Sequence, residues 1–228
     1  MSVRLHFVVE GQTEETFVNR VLAPHLATYS VWGKVRCVMT SRRRGVIHRG
    51  GLLSYAMARK DIRLWMKEDQ NADAVFTTMF DLYRLPSDSP GYDQARRIGD
   101  PRRRVTALEE AMREDIGDRR LIPYLQLHEF EALLLADPQK LQCEFLDRDA
   151  AVQNLVVLSS RFDSPEMIDD GEHTAPSKRI IQEIPEYQGM KASAGPLVAE
   201  KIGLACLREK CKHFGEWLSR LESMGGRL

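Results

Sequence analysis

Glu10, Asp81, Glu129 and Glu131 are the residues whose type and position best suit chemistry. Each follows a short apolar run: Val3 to Val9 before Glu10, Ala74 to Phe80 before Asp81, and Leu121 to Leu127 before His128-Glu129-Phe130-Glu131. Carboxylates gathered at strand ends could hold Mg2+ or Mn2+. Mg2+ is a hard cation that takes oxygen ligands and is usually bound by one or two carboxylates with water and substrate phosphate. Such a centre suits phosphodiester hydrolysis, with water attacking phosphorus. An acid after a strand can also simply cap the next helix, so Glu10 alone decides little; Glu10 and Asp81 together favour the metal. Glu129 and Glu131 lie two residues apart and share a face only while the chain is extended. His128 reads as a hydrogen-bonding neighbour in preference to a ligand.

Bringing these acids together requires an open parallel sheet, because such sheets put their chemistry at the carboxyl edge. The pattern provides four strands, at 3–9, 35–40, 74–80 and 121–127, separated by helical segments. Thr13 is expected to cap the first helix, which Pro24 kinks or restarts. A second helix is expected over 52–67. The third begins at Pro101 behind Asp100 and stops at Gly117, following the preference for Pro at the start and Gly past the end. Pro123 predicts an edge position for the last strand. Residues 81–100, with Pro86, Pro90, Gly91 and Gly99, read as a long loop. Beyond Pro138 the pattern is helical, with breaks around 169–176 and at a Tyr187-Gln188-Gly189 turn. The expected architecture is an α/β core over 1–137 with a mainly parallel four-stranded sheet flanked by helices, and a helical C-terminal subdomain over 138–228 packed on it as a cap.

The 228 residues carry 33 basic and 33 acidic side chains. That balance argues against indiscriminate coating of DNA, but the charge is uneven. Between 34 and 63 lie Lys34, Arg36, Arg42, Arg43, Arg44, Arg49, Arg59, Lys60 and Arg63 against Asp61 alone. Arginine forks match phosphate oxygens, so Arg42, Arg43, Arg44 and Arg49 are candidate nucleic-acid contacts. Lys178 and Lys191 are candidates to balance a phosphate transition state. No apolar stretch is long enough for a membrane span. The start lacks a signal-peptide pattern, and Cys37, Cys143, Cys206 and Cys211 form no metal or disulfide motif, so a cytoplasmic location is expected. Phosphate-binding glycine loops and nucleophile elbows are absent from the sequence.

Several motifs in order carry a family resemblance: Val9-Glu10-Gly11-Gln12-Thr13-Glu14-Glu15, Phe80-Asp81-Leu82-Tyr83-Arg84-Leu85-Pro86, His128-Glu129-Phe130-Glu131-Ala132-Leu133-Leu134, Ala175-Pro176-Ser177-Lys178-Arg179, Gly195-Pro196-Leu197-Val198-Ala199 and Cys211-Lys212-His213-Phe214-Gly215-Glu216-Trp217-Leu218. They resemble a bacterial family labelled domain of unknown function 4276. That family is in turn similar to Toprim domains, the metal-binding fold of topoisomerases, primases and overcoming-lysogenization-defect nucleases. It includes the AriB effector of the PARIS anti-phage system, which pairs with an ABC-type ATPase. The resemblance implies a Toprim-like core, a Mg2+-dependent nuclease acting on RNA such as tRNA or on DNA, and a role in antiviral defence. In that pattern Glu10 serves in metal or acid/base work, and Asp81 opens an Asp-x-Asp pair whose second member is here Tyr83. Glu129 or Glu131 would supply the missing ligand. The expected partners are nucleic acid, an ABC-type ATPase and a second copy of the chain. The competing expectation is a non-catalytic regulatory or sensor subunit that docks on the ATPase.

Overall fold

The computed structural model describes residues 2–43, 46–49, 52–168 and 174–226, with backbone alone for 39–43 and 46–49. In chain order the strands and α-helices are β1 (Val3–Val9), α1 (Gln12–Phe17), α2 (Ala23–Ala27), β2 (Val31–Cys37), β3 (Met39–Arg43), β4 (Val46–Arg49), α3 (Tyr55–Glu68), β5 (Ala74–Asp81), α4 (Tyr92–Ala95), α5 (Pro101–Ile116), β6 (Leu121–Ile122) and β7 (Leu125–Gln126). The helical remainder comprises α6 (Glu131–Leu134), α7 (Asp149–Ser159), α8 (Pro176–Glu183), α9 (Tyr187–Ile202), α10 (Leu204–Lys210) and α11 (Lys212–Glu222).

β1 pairs in parallel with β2 and β5, and β6 and β7 both pair in parallel with β5. The sheet order is therefore β2-β1-β5-β6, with β7 beside the end of β5. This is the expected α/β class with a parallel sheet. Strands buried on both faces are mostly apolar, and β1 and β5 fit this apart from Arg4 and His6 in β1 and Thr77, Thr78 and Asp81 in β5. Odd-numbered residues Leu5, Phe7 and Val9 join a core with Phe17, Phe130, Phe214 and Leu218. Val8, Phe76 and Phe80 join a second core with Ile62, Trp65, Val105 and Leu108 from α3 and α5. The helices after residue 138 thus share an apolar core with β1 and α1.

Pro123 splits the edge strand into β6 and β7, and side chains from β5 repair the gap. The Thr78 hydroxyl donates to the Tyr124 carbonyl at 2.9 Å and accepts from the Tyr124 N–H at 2.9 Å. Thr77 donates to the Ile122 carbonyl at 2.7 Å and accepts from the Trp217 indole N–H at 2.9 Å. Both threonines are buried. Thr78→Val keeps the shape but orphans a buried amide and weakens a carbonyl. Urea unfolding should show a loss of about 1–3 kcal/mol; an unchanged midpoint would mean that Pro123 needs no such repair.

Several features differ from expectation. The first helix is capped at Gly11, with Thr13 inside its first turn, and the 81–100 connection contains α4. The second strand lies at 31–37, not 35–40. The Arg42–Arg49 stretch, expected as a loop, is a β3–β4 antiparallel hairpin, and Arg44 lies outside the described residues. The first helix passes Pro24 through a π-helical segment, Val18–Leu22, in which the Ala23 N–H reaches back to the Val18 carbonyl. The wider turn accommodates a proline ring that would clash with an ordinary helical carbonyl. The expected turn at 187–189 is instead the start of one helix, α9, which runs on through Gly195 and Pro196. Its Gly195 sits where a Cβ would lie 3.1 Å from the Tyr187 hydroxyl, 3.4 Å from the Phe130 ring and 3.6 Å from Thr13. Close packing against α1 therefore holds a segment that helix propensity would break.

Candidate active site at the carboxyl edge

β1 delivers Glu10 to the carboxyl edge, next to the end of β5. Val9 pairs with Met79, and the Glu10 carboxylate accepts the Asp81 N–H at 3.2 Å through Oε2 and the Leu52 N–H at 3.2 Å through Oε1. Glu10 thereby ties β5 to the segment that leads from the hairpin into α3. One turn on, Glu14 Oε2 accepts the Gly11 N–H at 2.8 Å, satisfying an amide at the start of α1. Glu14 is only 6% exposed.

Asp81 pairs with Gln126 of β7. The pairing continues past both strands, because the Tyr83 N–H donates to the His128 carbonyl at 2.8 Å. At His128 the backbone turns through φ 63°, a left-handed conformation unusual for a non-glycine residue. Glu129 follows in that turn and Glu131 in the first turn of α6, both buried. Glu129 Oε2 accepts the Ser177 N–H at 2.9 Å, at the start of α8. Glu131 Oε1 accepts the Tyr187 O–H at 3.2 Å and pairs with Lys191 Nζ at 3.1 Å, both from α9.

These carboxyls lie within one another's electric field. Asp81 is pushed well above the usual carboxylate range, first by burial and then by Glu10, Glu14, Glu131 and Glu129. Burial is also the leading cause for Glu10, which is raised despite the Asp81 and Leu52 amides and the nearby charge of Arg84, with Glu129 adding to the rise. Glu14 is pushed up to about 7 by burial, then by Glu10, with Glu131 contributing. Burial raises Glu131 as well, opposed by Lys191 and aided by Glu129. Like charges brought out of water disfavour ionisation, so without a cation the cluster tends to retain protons.

The four acids singled out by sequence therefore converge with a fifth, Glu14. Sequence reasoning named Glu14 only as part of the Val9-to-Glu15 motif; its signal was the four-residue spacing from Glu10, one helical turn. Lys191 reaches the cluster through Glu131, from inside α9. Lys178 is exposed in the first turn of α8, next to the Ser177 amide that binds Glu129. Arg42, Arg43 and Arg49 belong to the hairpin, whose chain continues to Leu52 on Glu10. The donor set is all oxygen and suits a hard divalent cation. Among the described residues no three His, Cys, Asp or Glu side chains are placed so that together they could hold a metal ion. Any ion here would thus draw on water or substrate oxygen beside the carboxylates. No described helix is long and apolar enough to cross a membrane.

No curated protein matches the chain. Among solved structures, the C-terminal region of the Xanthomonas campestris pv. campestris OLD protein is similar at 16% identity, over 96% of this chain and 97% of that one, with a TM-score of 0.36. The family model described as domain of unknown function 4276 matches residues 9–222, and the chain belongs to that family.

Proposed function

We propose that this protein is a divalent-metal-dependent nuclease that hydrolyses phosphodiester bonds in RNA such as tRNA, or in DNA, as an effector of anti-phage defence. One observation carries the reading: five carboxylates from three segments of the chain lie in one another's field at the carboxyl edge of a parallel sheet, with Lys191 set against one of them. Glu10 and Asp81 would hold Mg2+ or Mn2+ together with water or substrate oxygen, with Glu129 or Glu131 as the completing ligand. When bound, the ion would supply Lewis acidity and lower the pKa of water. The chain's own residues do the rest. The Asp81 and Leu52 amides orient the Glu10 carboxylate, and Tyr187 and Lys191 orient Glu131. Lys191 and Lys178 would meet charge developing on phosphate oxygens. The arginines Arg42, Arg43, Arg44 and Arg49 would draw in the backbone. The Toprim resemblance, the antiviral role, the cytoplasmic setting, an ABC-type ATPase partner and self-association belong to the same proposal.

The reading is tested by incubating the purified chain with tRNA, single-stranded RNA and duplex DNA, in Mg2+, Mn2+ or chelator. Cleavage should require the metal, and Lys191→Ala should slow it about 10²-fold, the scale on which one lost transition-state contact acts. A second reading, a non-catalytic regulatory subunit for the ATPase, is favoured by Tyr83 standing at the second acidic position and by the lack, among the described residues, of three acids placed to hold an ion together. No cleavage of any substrate, with no heat of Mg2+ or Mn2+ binding by calorimetry, would select that second reading.

A further inference from the structure

A basic surface that the hairpin does not include lies on the connection between β5 and α5. Residues 82–104 hold Arg84, Arg96, Arg97, Arg102, Arg103 and Arg104 against Asp88, Asp93 and Asp100. Two of those acids are engaged with backbone amides. Asp88 accepts the Ser54 hydroxyl at 2.8 Å and the Tyr55 and Ala56 N–H groups at 2.9 and 3.0 Å. Asp100 accepts the Arg103 N–H at 2.8 Å. Arg104 grips the Ile98 carbonyl through two nitrogens, at 3.1 and 3.0 Å, and Arg102 leans on Glu216 at 3.6 Å. Arg84, Arg96, Arg97 and Arg103 are exposed and form no ion pair among the described residues; Arg96 lies 5.8 Å from the Tyr92 ring centre.

The long connection presents these arginines on a fixed backbone. Asp88 pins it to the start of α3. Gly91, with φ 72°, comes so close to α5 that a Cβ would lie 2.9 Å from that of Ala111. The Arg104 guanidinium holds the segment just before α5. The surface also faces the right way. β5 and β6 are parallel, so α5 runs back along the sheet and begins beyond its carboxyl edge. Glu109 of α5 accepts the Leu125 N–H at 2.8 Å, and Leu125 pairs with Phe80 at the end of β5. Arg103 is six residues earlier, roughly 9 Å further along the helix axis at about 1.5 Å per residue. At the other end Arg84 is near enough to act on Glu10. A carboxylate cluster repels a polyanion, so a phosphodiester chain needs cations beside it to come within reach. Arginine forks suit phosphate oxygens.

We propose that Arg84, Arg96, Arg97 and Arg103 form a track for a polynucleotide backbone leading to the carboxylate site. The choice of a polynucleotide rests on the nuclease reading, and the track names the surface that holds the substrate. Binding can be tested separately from cleavage, by fluorescence anisotropy of the intact chain in chelator. The probes are single-stranded RNA and duplex DNA of roughly 30 units, titrated between about 50 and 200 mM salt. Joint substitution of Arg96, Arg97 and Arg103 by Ala should weaken binding at least about tenfold. It should also flatten the dependence of log affinity on log salt by about 2 on the single strand and about 3 on the duplex, the loss expected for three phosphate contacts. Arg119→Ala, an exposed change at the amino edge of the sheet, should leave both unchanged. Absence of binding by the unsubstituted chain, equal slopes for the triple variant, or an equal loss from Arg119→Ala would each overturn the track. If arginine-dependent binding stands but no cleavage occurs with Mg2+ or Mn2+, the nuclease reading fails and the track survives.

Discussion

Glu10→Ala and Asp81→Asn should each lower metal-dependent cleavage by at least about 10³-fold, equivalent to about 4 kcal/mol of barrier. Both changes strike the point where β1 and β5 end together. Glu10 offers one carboxylate to two backbone amides, those of Asp81 and Leu52, so Ala removes a proposed ligand and also unties α3 from β5. Asp81→Asn is the cleaner change. It keeps the shape while removing a charge that sits in the field of four other carboxyls. Metal-free Asp81→Asn should therefore melt no lower than the parent protein, and higher where the parent's Asp81 is ionised. Single-turnover cleavage with thermal melting separates the two effects: a dead but well-folded Asp81→Asn supports a site role. Parent-like cleavage by both variants would remove these acids from the chemistry.

Without divalent metal, the protein should lose stability as pH rises from about 5 to 7.5. The folded-state value of Glu14 is about 7 against an ordinary value of 4.5. A carboxyl raised on folding stabilises fully below its unfolded value, and that contribution is lost as pH climbs through the folded one. The 2.5-unit difference amounts to roughly 3 kcal/mol from Glu14. At about 2–4 °C per kcal/mol for a chain of this size, melting should fall by about 6–12 °C. Asp81, Glu10 and Glu131 are also raised and act in the same direction. Burial lowers His213, but the bond to Glu109 and the charges of Glu109 and Glu166 together raise it, so it adds to the fall, whereas His6, lowered by burial, works against it. Asp69, Asp88 and Asp118 are lowered, and their contributions are lost only in acid, below this window. Glu14→Gln isolates the effect, since its amide oxygen can still accept the Gly11 N–H. The variant should show a shallower pH slope, with the rest carried by Asp81, Glu10 and Glu131, and millimolar Mg2+ or Mn2+ should flatten the parent's slope by favouring the ionised cluster. Identical slopes for parent and variant, unaffected by metal, would contradict a shared carboxylate field.

Much of the scaffold was legible because its determinants act between near neighbours. Asp100 caps α5 through the Arg103 amide, Pro101 begins it, and Gly117 ends it at φ 69° with its N–H on the Arg113 carbonyl. β1 and β5 announced themselves as predominantly apolar runs because parallel strands are buried on both faces. Their shared direction was enough to place Glu10 and Asp81 at one edge. β2 was harder to recognise. As an edge strand it exposes Trp32, Lys34 and Arg36 on one face, so half of its signal is polar. The β3–β4 hairpin was hidden for a similar reason, in a stretch dense with arginine.

The polypeptide's own order of residues thus determined a parallel α/β sheet with acids at its carboxyl end. Tertiary packing decided which groups share that end. Glu14 enters because α1 lies over the sheet, and Lys191 because α9 passes unbroken through Gly195 and Pro196 against α1 and Phe130. Capping and turn preferences reach only a few residues along the chain. Burial and electrostatic fields depend on distance in space, and neither exists until the helices have closed over the sheet.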